Sequence, residues 1–101
     1  MHSLHVSIPH HLSQHEAISR IKKLFTSLRH EQKEKISHVK EDWKDETGTI
    51  HFSARGFNLS GIVTVHHATV EINAKVPLAV FLFRAKIKEA IKTRAEELLS
   101  K

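Results

Sequence analysis

The feature of this sequence that most constrains its fold is a change in hydrophobic periodicity. Between residues 36 and 75 apolar residues alternate with polar ones, as in Ile50, Phe52 and Ala54, and this pattern is typical of strands with one buried face. The alternating runs are separated by two short segments with the composition of tight turns, residues 45–48 and 56–61. Connections this short can join only antiparallel neighbours, so we predict a meander of about four strands.

The segment before this region has the period of a helix. Ser13 is followed three residues later by Glu16, a capping box in which the serine oxygen accepts a backbone N–H and the glutamate reaches back. We therefore predict a helix that begins at Gln14 and ends near Arg29 or His30. Its apolar residues fall on one face, and they are Ala17, Ile18, Ile21, Leu24, Phe25 and Leu28.

A short strand precedes this helix, because Leu4, Val6 and Ile8 alternate with polar residues until Pro9 ends the run. After the meander, Pro77 cannot donate a hydrogen bond to a central strand. The chain should therefore change from strand to helix between residues 76 and 80. The stripe of this last helix that should face the core comprises Val80, Phe83, Ile87, Ala90, Ile91 and Leu98.

The length of 101 residues is enough for one hydrophobic core and too short for a second, independent module. We therefore expect a single domain over residues 1–101. Its class should be α+β, in the order β-α-β-β-β-β-α, with an antiparallel sheet that carries both helices on one face. Trp43, the one tryptophan, is expected to be a core anchor on its strand.

Several kinds of chemistry lack the residues that they need. There is no cysteine, which excludes disulfides, thiolate metal sites and cysteine nucleophiles. No nucleophile motif or glycine-rich phosphate loop is present, and Gly48, Gly56 and Gly61 are all expected at turns. We predict a protein that is not an enzyme and has no cofactor.

The N-terminus does not have the pattern of a secretory signal, and the longest apolar run, residues 76–83, is far shorter than the roughly 20 residues of a membrane-spanning helix. The expected location is cytoplasmic.

Histidine is unusually frequent, with ten residues. His10, His11 and His15 surround the start of the first helix and could supply imidazole ligands to a metal if all turned inward. However, they flank a polar loop and have no metal-binding spacing. His66 and His67 are adjacent, and neighbouring side chains on a strand point to opposite faces. We therefore predict solvated histidines and no metal site.

Positive charge is concentrated in the two predicted helices. Residues 14–35 and 84–101 each carry six Lys or Arg and three Glu, a net charge of +3 each, whereas residues 36–75 have a net charge of −1.

Near the start of the last helix, Phe81 and Leu82 should form an exposed apolar spot. Arg94 falls within the predicted stripe, where its stem would pack while its guanidinium reaches water. Basic helices permit binding to nucleic acid or to an anionic or apolar boundary.

The order and spacing of many packing and turn residues resemble those of the polyhydroxyalkanoic acid system protein family. The residues that carry the resemblance are Ile8, Pro9, His10, Leu12, Ala17, Trp43, Phe52, Gly56, Gly61, Val63, Val65, Pro77, Ile87, Ile91 and Leu98. The chain departs from the family pattern in residues 31–35 and in its histidine content. The resemblance implies an association with bacterial storage-polyester metabolism and transfers no catalytic residue.

The expected function is that of a non-enzymatic accessory or binding protein at the surface of storage-polyester granules. Its partners would be the granule surface or granule proteins, with contacts through Lys86, Lys88 and Lys92 of the last helix and through Phe81 and Leu82. The first alternative is a nucleic-acid-binding module that uses both basic helices. The second is a carrier of a small hydrophobic ligand in a cavity lined by Trp43, Phe52 and Phe83. The sequence leaves the oligomeric state open.

Overall fold

The structure is a computed structural model that describes residues 2–31 and 33–100. The predicted order of elements is confirmed, except that the last helix is divided in two. In chain order the elements are β1 (His2–Pro9), α1 (Gln14–Glu31), β2 (Ile36–Lys44), β3 (Thr47–Ala54), β4 (Phe57–Val65), β5 (Thr69–Val76), α2 (Leu78–Phe81) and α3 (Arg84–Leu99).

The strands form one five-stranded antiparallel sheet in the order β1-β5-β4-β3-β2. Strands β2 to β5 are the predicted meander, and β1 adds to its end by pairing with β5, from His2 opposite Val76 to Pro9 opposite Thr69. The β4–β5 connection and the end of β1 therefore lie at one end of the sheet. The start of β1 and the entry into α2 lie at the other.

Both long helices pack on the same face of the sheet, as predicted. α1 contributes Ala17 and Ile21 to the core, and α3 contributes Ala95 and Leu99. The sheet contributes Val6, Ile8, Val63, Val65 and Val70. Burying each of the larger of these side chains stabilises the fold by roughly 1.5 to 3 kcal/mol. α3 lies against β1 and α1 against β4, so the two helices are about two strands apart, close to the usual spacing of about 10 Å. The side chain of Leu28 lies outside the described part.

Arg20 ties the two helices together. The N-terminus of α1 has the serine half of the predicted capping box, since the Glu16 N–H donates to Ser13 Oγ at 3.1 Å. The Glu16 carboxylate accepts a hydrogen bond from Arg20 Nε at 3.1 Å. Arg20 Nη1 also donates to the carbonyl oxygens of Leu98, at 3.1 Å, and Ser100. A cation at the end of α3 is favoured by the helix dipole and satisfies carbonyls that lack helical partners.

The prediction that all three glycines lie at turns is wrong for two of them. Only Gly56 is at a turn, where Arg55 and Gly56 have φ angles of 52° and 82°, as a type I′ hairpin turn requires. Gly61 lies within β4, and Gly48 lies within β3 opposite Trp43 on β2. A Cβ atom at Gly48 would stand 2.6 Å from Trp43 Cε2. Gly48 is therefore required by the ring above it and not by a turn.

The predicted stripe of the last helix is partly wrong. Phe83 is 64% exposed and Ala90 is exposed, whereas Ala95 and Leu99, which the stripe omits, are buried. The interruption between α2 and α3 accounts for Phe83, because it changes the rotational phase of the residues before Arg84 relative to those after it. Within α3 itself, the buried side is turned toward Ala95 and Leu99 and away from Ala90. Arg94 is also outside the buried stripe. Its side chain is 54% exposed, and its Nη2 atom lies 3.6 Å from Glu31 Oε2 of α1.

Candidate interaction surface

Three large apolar side chains are exposed together at the α2–α3 junction. Leu78, Leu82 and Phe83 have exposed fractions of 55%, 66% and 64%, and we call these three residues the apolar patch. Leu78 and Leu82 are four residues apart, so they lie on the same side of the short helix. Contiguous exposed apolar residues of this kind mark interaction surfaces more often than single ones do.

Phe81 holds α2 against the sheet. Its ring stacks on the His2 imidazole with a centroid distance of 4.7 Å and an interplanar angle of 25°. The Arg84 guanidinium lies over the same ring at 4.7 Å from its centroid, and Arg84 Nη1 donates to the Phe81 carbonyl at 3.4 Å. Phe81 is half-buried by these contacts, so the predicted Phe81–Leu82 spot is exposed mainly through Leu82.

Positive charge lies in the half of α3 next to the apolar patch. Residues 84–92 contain four Lys or Arg and one Glu, a net charge of +3, whereas residues 93–100 contain Arg94 and two Glu, a net charge of −1. The first turn of α3 has no acidic residue, and its N-cap, Phe83, provides no side-chain hydrogen bond. Cations are disfavoured at the positive end of a helix dipole, so helix stability does not account for this arrangement.

The three lysines predicted as contacts do not form one basic face. At about 100° per residue, Lys86 lies roughly 160° from Lys88 around the helix axis, whereas Lys88 and Lys92 are one turn apart on the same side. Lys86 and Lys92 are exposed and Lys88 is half-buried. The lysines therefore lie on different sides of α3, and Lys86 and Lys88 are the two that lie in its first two turns.

The face of the sheet away from the helices is polar. It presents the serines and histidine of β1, with Glu71 and Asn73 of β5, and Ile62 is an exposed apolar residue there, at 46%. Phe57, at the start of β4, is 37% exposed. Antiparallel sheets commonly have one solvated face, so this surface needs no partner to be stable.

The clustered histidines have separate structural positions. The prediction of solvated histidines is wrong for His10, which is buried, with 4% of its surface exposed. Its Nδ1 atom accepts the Leu12 N–H at 3.2 Å, so Nε2 carries the proton that it donates to the His66 carbonyl at 3.0 Å. Both ring nitrogens are thus occupied by backbone groups, whereas His11 and His15 are exposed. Across residues 2–31 and 33–100, no group of His, Asp or Glu side chains is placed to hold a metal ion.

A second histidine arrangement lies on the open face and was not predicted. Glu71 Oε2 is 2.8 Å from His66 Nε2, and Glu71 Oε1 is 3.4 Å from His5 Nε2. The pKa of the Glu71 carboxyl is lowered, mainly by the hydrogen bond from His66 and further by His5, with partial opposition from lost solvation. This group connects β1, β5 and the β4–β5 turn. Its signal in the sequence, an i, i+5 His–Glu pair across a hairpin, is too common to have been singled out.

Of the three residues proposed to line a ligand cavity, Trp43 and Phe52 are half-buried and Phe83 is exposed. Phe83 is on the surface, as described above, so it does not close a cavity with Trp43 and Phe52. Trp43 is half-buried, and its Nε1 donates to Glu41 Oε2 at 3.1 Å. Lys22 of α1 lies over the indole at 5.3 Å, and the Phe25 ring is 6.4 Å away. Trp43 thus joins the outer part of the sheet to α1, as expected of a core anchor.

Together these observations define a small α+β protein with an apolar and basic surface at one end. In the part of the chain that the structure describes, no helix is long and apolar enough to cross a membrane. Residues 4–99 match the family model described as "Putative polyhydroxyalkanoic acid system protein", and the chain belongs to this family. The resemblance inferred from the sequence is therefore confirmed. No curated protein and no solved structure matches the chain.

Proposed function

We propose that this protein is a non-enzymatic accessory protein of the storage-polyester system and that it binds the granule surface through the apolar patch. Family membership supports the polyester context. The observation that carries the proposal is the joint exposure of Leu78, Leu82 and Phe83 beside a basic helix start. No catalytic constellation competes with this role among the contacts described above.

The apolar patch has enough exposed surface for measurable adsorption. Complete burial of a leucine or phenylalanine side chain is worth roughly 1.5 to 3 kcal/mol. Since each of the three is more than half exposed, contact with an apolar polymer would contribute about 1 to 2 kcal/mol per residue and about 3 to 6 kcal/mol in total. Ordering of side chains and loss of free motion reduce this gain. We therefore expect reversible binding of modest affinity.

The test is sedimentation of the purified protein with lipid-free polyhydroxyalkanoate particles. Replacing Leu82 and Phe83 by serine should lower the bound fraction at least about tenfold, since this removes most of the apolar contribution. Ile62→Ser is the matched control, because Ile62 is also exposed but lies on the opposite face of the sheet. Its binding should equal that of the wild type.

The lysine contacts are tested in the same assay. Alanine at Lys86, Lys88 and Lys92 should weaken adsorption less than the serine variant does, because exposed charges contribute little to contact with a neutral polymer. The proposal is refuted if the wild type ignores particles that capture a known granule protein, or if the double serine variant binds as well as Ile62→Ser. Capture by DNA that disappears at high salt would favour nucleic-acid binding instead.

A further inference from the structure

The segment around the apolar patch has a high net positive charge. Residues 75–92 contain five Lys or Arg side chains and one Glu, a net charge of +4. The whole chain has a net charge of +5, so all the remaining residues together contribute +1. Positive charge and exposed apolar surface therefore coincide at one end of the molecule.

These cations are available to an external partner. In residues 2–31 and 33–100, none of the five basic side chains of this segment is within ion-pair distance of a carboxylate. Lys75 Nζ donates to Ser3 Oγ at 2.8 Å, and Arg84 rests on the Phe81 ring. Both contacts are with neutral groups, so they position the cations without neutralising them.

The combination of exposed apolar side chains and positive charge distinguishes between classes of partner. A neutral polymer would use the apolar patch and leave the charge without a counterpart. A nucleic acid would use the charge and one stacking surface, the Phe83 ring, but it would leave Leu78 and Leu82 without a counterpart. An anionic lipid surface uses both, because apolar side chains enter the boundary of the acyl chains while Lys and Arg remain at the level of the phosphates.

We propose that the end of the molecule formed by Leu78, Leu82, Phe83, Lys75, Arg84 and Lys86 docks on an anionic lipid surface. This docking uses the surface of the proposed function but does not require a polyester. Since α2 follows the end of β5 beside the first residue of β1, the protein binds end-on. The β4–β5 turn and the histidines around it stay in water at the opposite end.

The inference is tested with phosphatidylcholine vesicles prepared with and without phosphatidylglycerol. Binding should be at least about tenfold tighter to the anionic vesicles and should weaken as salt is added. Leu82→Ser should reduce binding to them severalfold at every salt concentration. Equal binding to both kinds of vesicle, or binding to neither, would overturn the inference.

Two variants with equal loss of charge test the location of the site. Lys75→Gln with Lys86→Gln leaves Arg84 on the Phe81 ring and should weaken binding to anionic vesicles about tenfold. Lys23→Gln with Lys44→Gln removes the same charge from α1 and β2 and should leave binding nearly unchanged. Equal losses in the two double variants would show that only net charge matters and would refute the proposed surface.

The two proposals fail separately because each has its own binding partner. Binding to lipid-free polyester particles without binding to vesicles would overturn the lipid inference and retain the proposed function. Binding to anionic vesicles without binding to polyester particles would retain the lipid inference and overturn the proposed function.

Discussion

The contact between Trp43 and Gly48 leads to a quantitative prediction about the replacement Gly48→Ala. The new Cβ atom would lie 2.6, 2.7 and 2.8 Å from three atoms of the indole, Cε2, Cζ2 and Cδ2. Side-chain carbon atoms normally stay about 3.5 to 4 Å apart. The ring must therefore move by about 1 Å, and it then weakens its contacts with Lys22, Phe25 and Glu41.

The size of the effect follows from three contributions. Overpacking of this kind costs about 1 to 3 kcal/mol. Loss of the hydrogen bond from Trp43 Nε1 to Glu41 adds up to about 1 kcal/mol. Replacing glycine by alanine restricts the unfolded chain, and this offsets about 0.4 to 1 kcal/mol of the loss of stability. We expect the free energy of unfolding to fall by about 1 to 3 kcal/mol.

Urea denaturation followed by tryptophan fluorescence measures both parts of this prediction. Trp43 is the one tryptophan, so a shift in native-state emission reports movement of this ring. Gly61→Ala is the matched control, because the nearest atoms to its Cβ are Asn73 O at 3.5 Å and Ile50 Cγ2 at 3.7 Å, which are ordinary contacts. If the two variants were equally stable and had the same emission spectrum, the steric reasoning would be wrong.

Two further predictions concern His10 and the carboxylate of Glu71, which contacts two histidines. His10→Ala should lower the free energy of unfolding by about 2 to 4 kcal/mol, because it leaves two backbone groups without partners and opens a cavity; the exposed His11→Ala should change it by less than about 0.5 kcal/mol in the same urea titration. Because the pKa of Glu71 is lowered from its ordinary value of 4.5, its contribution to stability is present above that value and is lost as the pH falls through the lowered pKa. The free energy of unfolding of Glu71→Gln should therefore fall less than that of the wild type as the pH falls from 4.5 through the lowered pKa. If the two proteins lost stability in parallel over this pH interval, the lowered pKa of Glu71 would be contradicted.

The predicted fold depended on signals that are local along the chain. The alternation in β1 and in residues 50–54, the capping serine at Ser13 and the position of Pro77 each act through neighbouring residues. Short connections then require antiparallel pairing, and one apolar face per element requires a common core. The order of elements and the packing of both helices on one face could therefore be predicted.

The candidate site depended on a detail that periodicity does not contain. The apolar run from Val76 to Phe83 was interpreted mainly as core, and a continuous helix would have turned Phe83 inward. The interruption of two residues between α2 and α3 instead exposes Phe83, next to Leu82, which was predicted to be exposed. No proline or glycine marks this break in the sequence, and the Phe81 ring beside it contacts His2 and Arg84.

The sequence by itself determined the number, type and order of the main elements, the concentration of charge in the helices and the family. The tertiary structure decided which residues share a surface. It placed Gly48 beneath Trp43, occupied both nitrogens of His10 with backbone groups, and joined the exposed Leu82 and Phe83 to a basic helix start. The physical reason is that periodicity is set by residues a few positions apart, whereas these contacts join residues through packing of the whole domain.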